Sequence, residues 1–316
     1  MHRVPLRHTA SIFLICLVLL AVARPRAQSA SPFSAIQTAF VMVLENHNWS
    51  ELKGNAQAPY LNSLLSRGAH AEQYFNPPGL HPSLPNYIWL EAGSNLGITD
   101  DDTPVALQQN TTQHLVTLLN TAGISWKAYE EDILGTDCPI TDEGNNYTTH
   151  HDPFVYFNDV TSNMKANSAY CISHVRPYTE LAGNLQNNTQ ARYNFITPNL
   201  QDDMHDGTIA QGDTWLSREV PKILASTAYQ HGALFIMWDE GEGSDGPIGF
   251  IVLSPFAKVN YSNTIHYSHG SMLRTLEEIF GVTPMLGDAG SSVDVIDLFS
   301  FQGTPPGPPT NVRIVQ

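Results

Sequence analysis

Two apolar runs in this chain end in acids. Phe40-Val41-Met42-Val43-Leu44 stops at Glu45-Asn46, and Ala233-Leu234-Phe235-Ile236-Met237-Trp238 stops at Asp239-Glu240. Short runs rich in branched and aromatic side chains, bounded by polar residues, predict buried strands. Further strands are expected over Ile124 to Tyr129, Tyr193 to Thr197 (stopped by Pro198) and Gly249 to Leu253. Helical patterns alternate with them: Tyr60 to Leu65 after Pro59, Leu115 to Ala122 before Gly123, Thr214 to Ala228, and Ser271 to Phe280 before Gly281. Strands separated by helices of this length imply an α/β fold, a mostly parallel central sheet with helices on both faces. Ligands of open α/β sheets bind beyond the carboxyl ends of the strands, so both acidic pairs would point into one crevice. Trp126, Tyr129 and Trp215 fall inside elements and read as core.

The start of the chain has a different pattern. Arg3, Arg7 and His8 precede an apolar stretch from Ala10 to Ala23, followed by the small residues Ala27-Gln28-Ser29. This is the layout of a secretory signal cleaved between Ala27 and Ala30, too short for a typical membrane span. An uncleaved anchor is the alternative. The expected organisation is a signal peptide over 1–30, one large domain over 31–301, and a Pro/Gly-rich linker and tail over 302–316.

Charge then narrows the partners. Four of the fifteen Lys and Arg residues lie in the leader and none of the thirty acids does, so the remainder carries eleven basic residues and a formal charge of −19. Nucleic acid and anionic membranes are therefore poor electrostatic partners. Any phosphate must be met locally, by a metal ion, imidazoles or backbone N–H groups. Outside the leader stand two cysteines, Cys138 and Cys171. In an oxidising compartment they are expected to pair across an Asn-, Thr-, Asp- and His-rich loop, the alternative being a pair of metal ligands.

The candidate nucleophile is Ser83, in His81-Pro82-Ser83-Leu84-Pro85-Asn86-Tyr87. Proline is accepted in the first helical turn, so Ser83 sits at or just before a helix start, where a phosphate is welcome. Taken alone, a serine there is also a good N-cap.

Together, Glu45-Asn46, Ser83-Leu84-Pro85-Asn86-Tyr87, Asp202-Asp203-Met204-His205-Asp206 and Asp239-Glu240-Gly241 resemble the bacterial phosphoesterase family of acid phosphatases and phospholipases C, within the alkaline phosphatase superfamily. The resemblance runs from about Ala39 to Gly281. It implies an alkaline phosphatase-like three-layer α/β sandwich. It makes Ser83 the nucleophile and Asn86 a donor to a phosphoryl oxygen, with Glu45, Asn46, Asp239 and Glu240 as metal ligands. Oxygen donors suit Mg, Ca or Mn, and nearby His admits Zn or Fe. Glu240 departs from the Asp-His or Asp-Asp pair of other superfamily members, which points to one divalent ion, or to weak metal dependence, rather than two zincs. Tyr87 stands where sulfatases of the superfamily carry Arg, which disfavours sulfate esters.

The resemblance also places imidazoles at the substrate. His150-His151-Asp152-Pro153-Phe154 is similar to the family's His-Asn-Pro-Phe element, and His269 to the superfamily's late histidine, so His150, His151 and His269 are expected to bind substrate. An imidazole titrates near ~6.5, so His205 can protonate a leaving alkoxide, with Asp203 or Asp206 orienting it. The implied function is a secreted or periplasmic acid phosphatase acting on phosphate monoesters, phosphoinositides included, through a phosphoserine. The partner is then a phosphorylated small molecule or lipid headgroup. A phospholipase C cleaving diesters and a non-catalytic exported binding module are the competing readings.

Overall fold

The computed structural model describes residues 31–144, 146–243 and 246–301, together with position 2. The expected leader, apart from His2, and the expected tail lie outside these residues. Ten strands follow in chain order: β1 (Thr38–Leu44), β2 (Ala69–Ala71), β3 (Tyr74–Phe75), β4 (Trp126–Glu130), β5 (Val175–Pro177), β6 (Tyr193–Thr197), β7 (Gly232–Trp238), β8 (Phe250–Leu253), β9 (Tyr261–Asn263) and β10 (Tyr267–Ser268). Eight of them form one sheet in the order β5-β4-β6-β1-β7-β8-β2-β9, and β10 pairs with β3 in a small second sheet.

From β5 to β7 every pairing is parallel. Parallel neighbours need a crossover, and the helices Leu115–Thr121, Thr179–Asn187 and Ile209–Leu224 occur in the connections. β8 instead returns antiparallel to β7 and beside β2, and the described residues of the link from Asp239 to Gly249 include no helix to carry the chain back. The expected β strands at Phe40, Ile124, Tyr193, Ala233 and Gly249 are all present, with ends shifted by up to two residues. The short strands β2, β5 and β9 carry no periodic apolar signal and were not foreseen. The helix expected from Thr214 begins at Ile209, where Thr208 and Gln211 form a reciprocal capping box.

β1 and β7 sit mid-sheet with all seven residues of each buried, as two-sided coverage of a parallel strand requires. Trp126, Tyr129 and Trp215 belong to the same core. The helix Ser83–Ala92 ends at Gly93, whose φ of 66° is left-handed. A Cβ there would lie 2.4 Å from the Leu286 carbonyl oxygen, so only glycine lets this helix stop against the segment that follows His269–Phe280. Those two helices pack together and carry Ser83 and His269 to the same end of the sheet.

Candidate active site

Parallel register brings the two acids together. Leu44 is level with Trp238, so Glu45 and Asp239 leave the sheet side by side. The Asn46 amide donates to Asp239 Oδ1 at 3.3 Å, from a backbone with φ of +50°. The Glu45 amide donates to the Asp203 carbonyl at 2.9 Å, which draws the loop after β6 over the strand ends. Asp203 in turn accepts from the His205 amide at 2.7 Å through Oδ1.

Ser83 meets these groups from the opposite wall. Its Oγ donates to Glu45 Oε2 at 3.0 Å, and both side chains are buried. The Tyr87 hydroxyl, one helical turn on, donates to Glu45 Oε1. His151 stacks on the Tyr87 ring at 5.3 Å and 10°. Its Nε2 lies 3.4 Å from Glu45 Oε2 and its Nδ1 3.3 Å from Asp203 Oδ2. The expected free N–H groups at the helix start are partly used, since the Leu84 amide donates to Asp101 Oδ1 at 2.9 Å.

The electrostatics describe a site short of positive charge. Burial first, then Asp239 and Asp203, hold the Glu45 carboxyl well above its ordinary pKa. Burial likewise pushes Asp203 to about 8 and Asp239 to about 7. Burial drives His151 well below its ordinary value, with the neighbouring His205 adding to the effect. Asn46 Oδ1, Asp203 Oδ2, Asp239 Oδ2 and His151 Nε2 are buried with no hydrogen-bond partner. Buried polar atoms are normally paired, and a cation reverses the pKa logic of crowded carboxylates. Glu45, His151 and Asp203 offer ligand atoms within 4.8 Å of one another. An oxygen-rich set with one imidazole fits a hard or borderline divalent ion.

The expected residues divide into three groups. Glu45, Asn46, Asp239 and Ser83 converge, and Asp203 and His151 join them. Glu240 keeps different company: its Oε2 lies 2.6 Å from His81 Nδ1 and accepts from Asn86 Nδ2 at 3.1 Å. Asn86 Nδ2 also donates to the carbonyls of Leu80 (2.9 Å) and Pro82 (3.2 Å). That amide therefore ties Glu240 to the loop before the nucleophile, whereas the sequence suggested a phosphoryl donor. His269 is fully buried, donating from Nε2 to the Asp239 carbonyl at 2.6 Å and accepting from the Tyr74 hydroxyl at Nδ1, 3.1 Å. With both nitrogens engaged it braces the end of β7 instead of facing substrate, and burial lowers its pKa to about 4.

His150 and His205 complete the rim. His150 Nδ1 lies 2.6 Å from Thr148 Oγ1, its ring edge-on to His151 at 4.6 Å, and burial together with His151 takes its pKa to about 4. His205, about one third exposed, has Nδ1 2.9 Å from Asp206 Oδ1 and its ring 5.6 Å from His151. Cys138 and Cys171 form a disulfide with Cα atoms 5.4 Å apart, closing the segment that carries His150 and His151. Two partners were not assigned from sequence. Asp203 was read only as a possible support for His205, and Tyr87 only as a missing arginine. Nothing in sequence spacing announces that a carboxylate five residues after Pro198 folds back onto Glu45.

Known proteins resemble this chain in sequence and in fold. The model of the Phosphoesterase family matches residues 33–283. A phosphatidylinositol-3-phosphatase of Mycobacterium tuberculosis is 30% identical over 273 residues, covering 86% of this chain and 85% of that protein. A probable acid phosphatase of Kluyveromyces lactis is 25% identical over 277 residues, covering 84% of this chain and 63% of its own length. Among solved structures, a lipoteichoic acid synthase of Listeria monocytogenes superposes with a TM-score of 0.57 at 10% identity, over 83% of this chain and 77% of that one. A Vibrio parahaemolyticus protein of the alkaline phosphatase superfamily gives 0.53 at 10% identity, over 80% and 69%. At such identities these two likenesses concern the fold.

Proposed function

The chain belongs to the Phosphoesterase family and is a hydrolase acting on phosphate esters, and from that premise we propose that it cleaves phosphate monoesters through a covalent phosphoserine at Ser83. The observation that carries this reading is the buried hydrogen bond from Ser83 Oγ to Glu45 Oε2 at the ends of β1 and β7. A serine whose proton already points at a carboxylate is poised to be deprotonated as its oxygen attacks.

In the first step Ser83 Oγ forms a bond to phosphorus, the bond from phosphorus to the ester oxygen breaks, and the serine proton moves toward Glu45 Oε2. Tyr87 holds Glu45 Oε1 in place. His205, its Nδ1 side fixed by Asp206, donates from Nε2 to the departing alkoxide. His151 and His150 line the phosphoryl position. In the second step a water, deprotonated by His205, attacks phosphorus, the bond from phosphorus to Ser83 Oγ breaks, and Ser83 takes back the proton held at Glu45. Glu45, Asn46 and Asp239, with Asp203 and His151 alongside, are the residues that would hold one divalent ion. When bound there, such an ion would offset the negative charge that builds on the phosphoryl oxygens.

The mycobacterial relative's name extends the substrate class to phosphoinositides, and the fungal relative's to acid phosphatase substrates. Export is supported by the disulfide and by the pattern of residues 1–30, and no helix among the described residues is long and apolar enough to cross a membrane. The test is Ser83→Ala in protein shown to fold by circular dichroism. Phosphate release from a monoester should fall at least 1,000-fold, on the order expected for a lost nucleophile. Retention of most activity overturns the mechanism, and faster release from a phosphocholine diester than from monoesters moves the assignment to a phospholipase C.

A further inference from the structure

Two groups beside the reacting atoms have no part in the two chemical steps. His81 precedes Ser83 by two residues, and Glu240 follows Asp239. They meet, with His81 Nδ1 2.6 Å from Glu240 Oε2. An ionised carboxylate can only accept, so Nδ1 carries a proton and Nε2 stands on the far side of the ring. The Glu240 side chain is 7% exposed and that of His81 38%. A buried carboxylate thus orients an imidazole that solvent, and so substrate, can reach.

Asn86 holds this pair in place. Its Nδ2 has three acceptors in reach, Glu240 Oε2 at 3.1 Å and the carbonyls of Leu80 and Pro82 at 2.9 and 3.2 Å. Those carbonyls flank His81 on either side, so one buried amide ties down both the carboxylate and the backbone of the residue it orients. With two hydrogens for three acceptors, the amide has none left for a phosphoryl oxygen. Sheet order sets the direction of approach. β1 lies between β6 and β7. Asp203 and the His151 ring that touches it stand on the β6 side of Glu45, and His150 and His205 pack around that ring. Asp239 and Glu240 stand on the β7 side, and the Ser83 hydroxyl lies against Asp239 as well as Glu45. Three imidazoles therefore crowd one flank of the phosphoryl position, and His81 approaches from the other.

We infer that His81 is a further catalytic residue, donating from Nε2 to a nonbridging phosphoryl oxygen on the flank opposite His151, with Glu240 and Asn86 as the residues that position it. The inference rests on the phosphomonoesterase reading above and adds a residue to it. The donor role expected of Asn86 falls to the imidazole that Asn86 secures. Charge spreads over the three equatorial oxygens of a phosphoryl group in transfer, and a donor already aimed at one of them needs no reorganisation as the reaction proceeds. Removing such a donor costs on the order of 100-fold in turnover.

The test compares the full-length enzyme with His81→Ala, Glu240→Gln and the double variant, each shown to fold by circular dichroism. Glutamine keeps the oxygen that accepts from Asn86. With p-nitrophenyl phosphate, His81→Ala should lower kcat about 100-fold with a smaller change in KM. Glu240→Gln should lower kcat less, and the double variant should match His81→Ala, because Glu240 acts through the ring it orients. Inorganic phosphate gives a readout apart from turnover: calorimetry should show His81→Ala binding it at least about ten-fold more weakly than the wild type. Four results, each with wild-type turnover intact, overturn the inference alone. They are retention of more than a third of kcat by His81→Ala, equal phosphate affinity, losses that multiply in the double variant, and a Glu240→Gln protein whose Tm no longer rises with a divalent ion, which makes Glu240 a ligand of the cation. A wild type that hydrolyses no monoester overturns the phosphomonoesterase reading and this inference with it.

Discussion

Replacing Cys138 and Cys171 together by serine removes the one covalent tie seen on the segment that carries the site's imidazoles. The bond spans 33 residues, including Asp142, His150, His151 and Asp152. Closing a loop of that length in the unfolded chain is worth about 4 kcal/mol on the chain-entropy account. Unfolding entropy of ~2.1 cal/mol/K per residue over a fold of roughly 270 residues converts this to a fall in Tm of about 7 °C. The loss should also reach the chemistry, because His151 is held between Glu45 and Asp203 only while its segment stays docked. Differential scanning fluorimetry with and without reductant provides the assay. Reductant should bring the wild type down to the variant and leave the variant unmoved. A Tm change under about 2 °C in both comparisons refutes the reasoning, since the segment would then be held by its noncovalent contacts alone.

Glu91 offers a pH test away from the site. It is fully buried, accepts from the Tyr193 hydroxyl at 2.6 Å, and burial raises its pKa to about 8. A carboxyl raised in the folded state contributes stability that is fully present below its unfolded value near ~4.5 and is lost as pH rises through the folded value. Glu91→Gln, always neutral, should therefore unfold at nearly the wild-type denaturant midpoint at pH 4.5 and be more stable by a few kcal/mol at pH 9, at ~1.4 kcal/mol per unit. An unchanged difference across that range contradicts the buried-acid account. Chelation should lower the Tm and restoration of a divalent ion should raise it, by about 4 kcal/mol at a thousand-fold excess over Kd. A Tm indifferent to Mg, Ca, Mn and Zn removes the cation from Glu45, Asn46 and Asp239. Tyr87→Phe should cost about 1.5–3 kcal/mol of stability by leaving Glu45 one donor short, read from urea denaturation. A neutral result makes the hydrogen bond dispensable.

The parallel half of the sheet was legible because β1 and β7 are nearly continuous apolar runs, a pattern dictated by burial on both faces, and because β4 and β6 carry Trp126, Ala128 and Tyr129 or Tyr193, Phe195 and Ile196 between a few polar residues. The antiparallel return through β8 and β2 was not, because Ala69–Ala71 is too short to show a period and pairing direction is a property of the connection. At the site, Glu45 and Asp239 were legible as acids at strand ends. The company kept by Glu240, Asn86 and His269 was not. Each lies beside a residue whose orientation is set by the backbone, so adjacent positions face different walls. Glu240 follows Asp239 and turns to His81, and His269 opens its helix but reaches back to the Asp239 carbonyl. Asp203 joins the cluster through a loop in which Met204 takes a φ of +85°, a conformation that residue type does not advertise.

The most direct test of the phosphoserine at Ser83 is to trap it. The full-length enzyme mixed with a fast monoester such as p-nitrophenyl phosphate, quenched in acid within milliseconds and digested, should yield the peptide containing Ser83 with one added phosphoryl group. Ser83→Ala treated identically should yield none. A turning-over enzyme with no phosphoryl group on that peptide, or with the label elsewhere in the chain, contradicts the account.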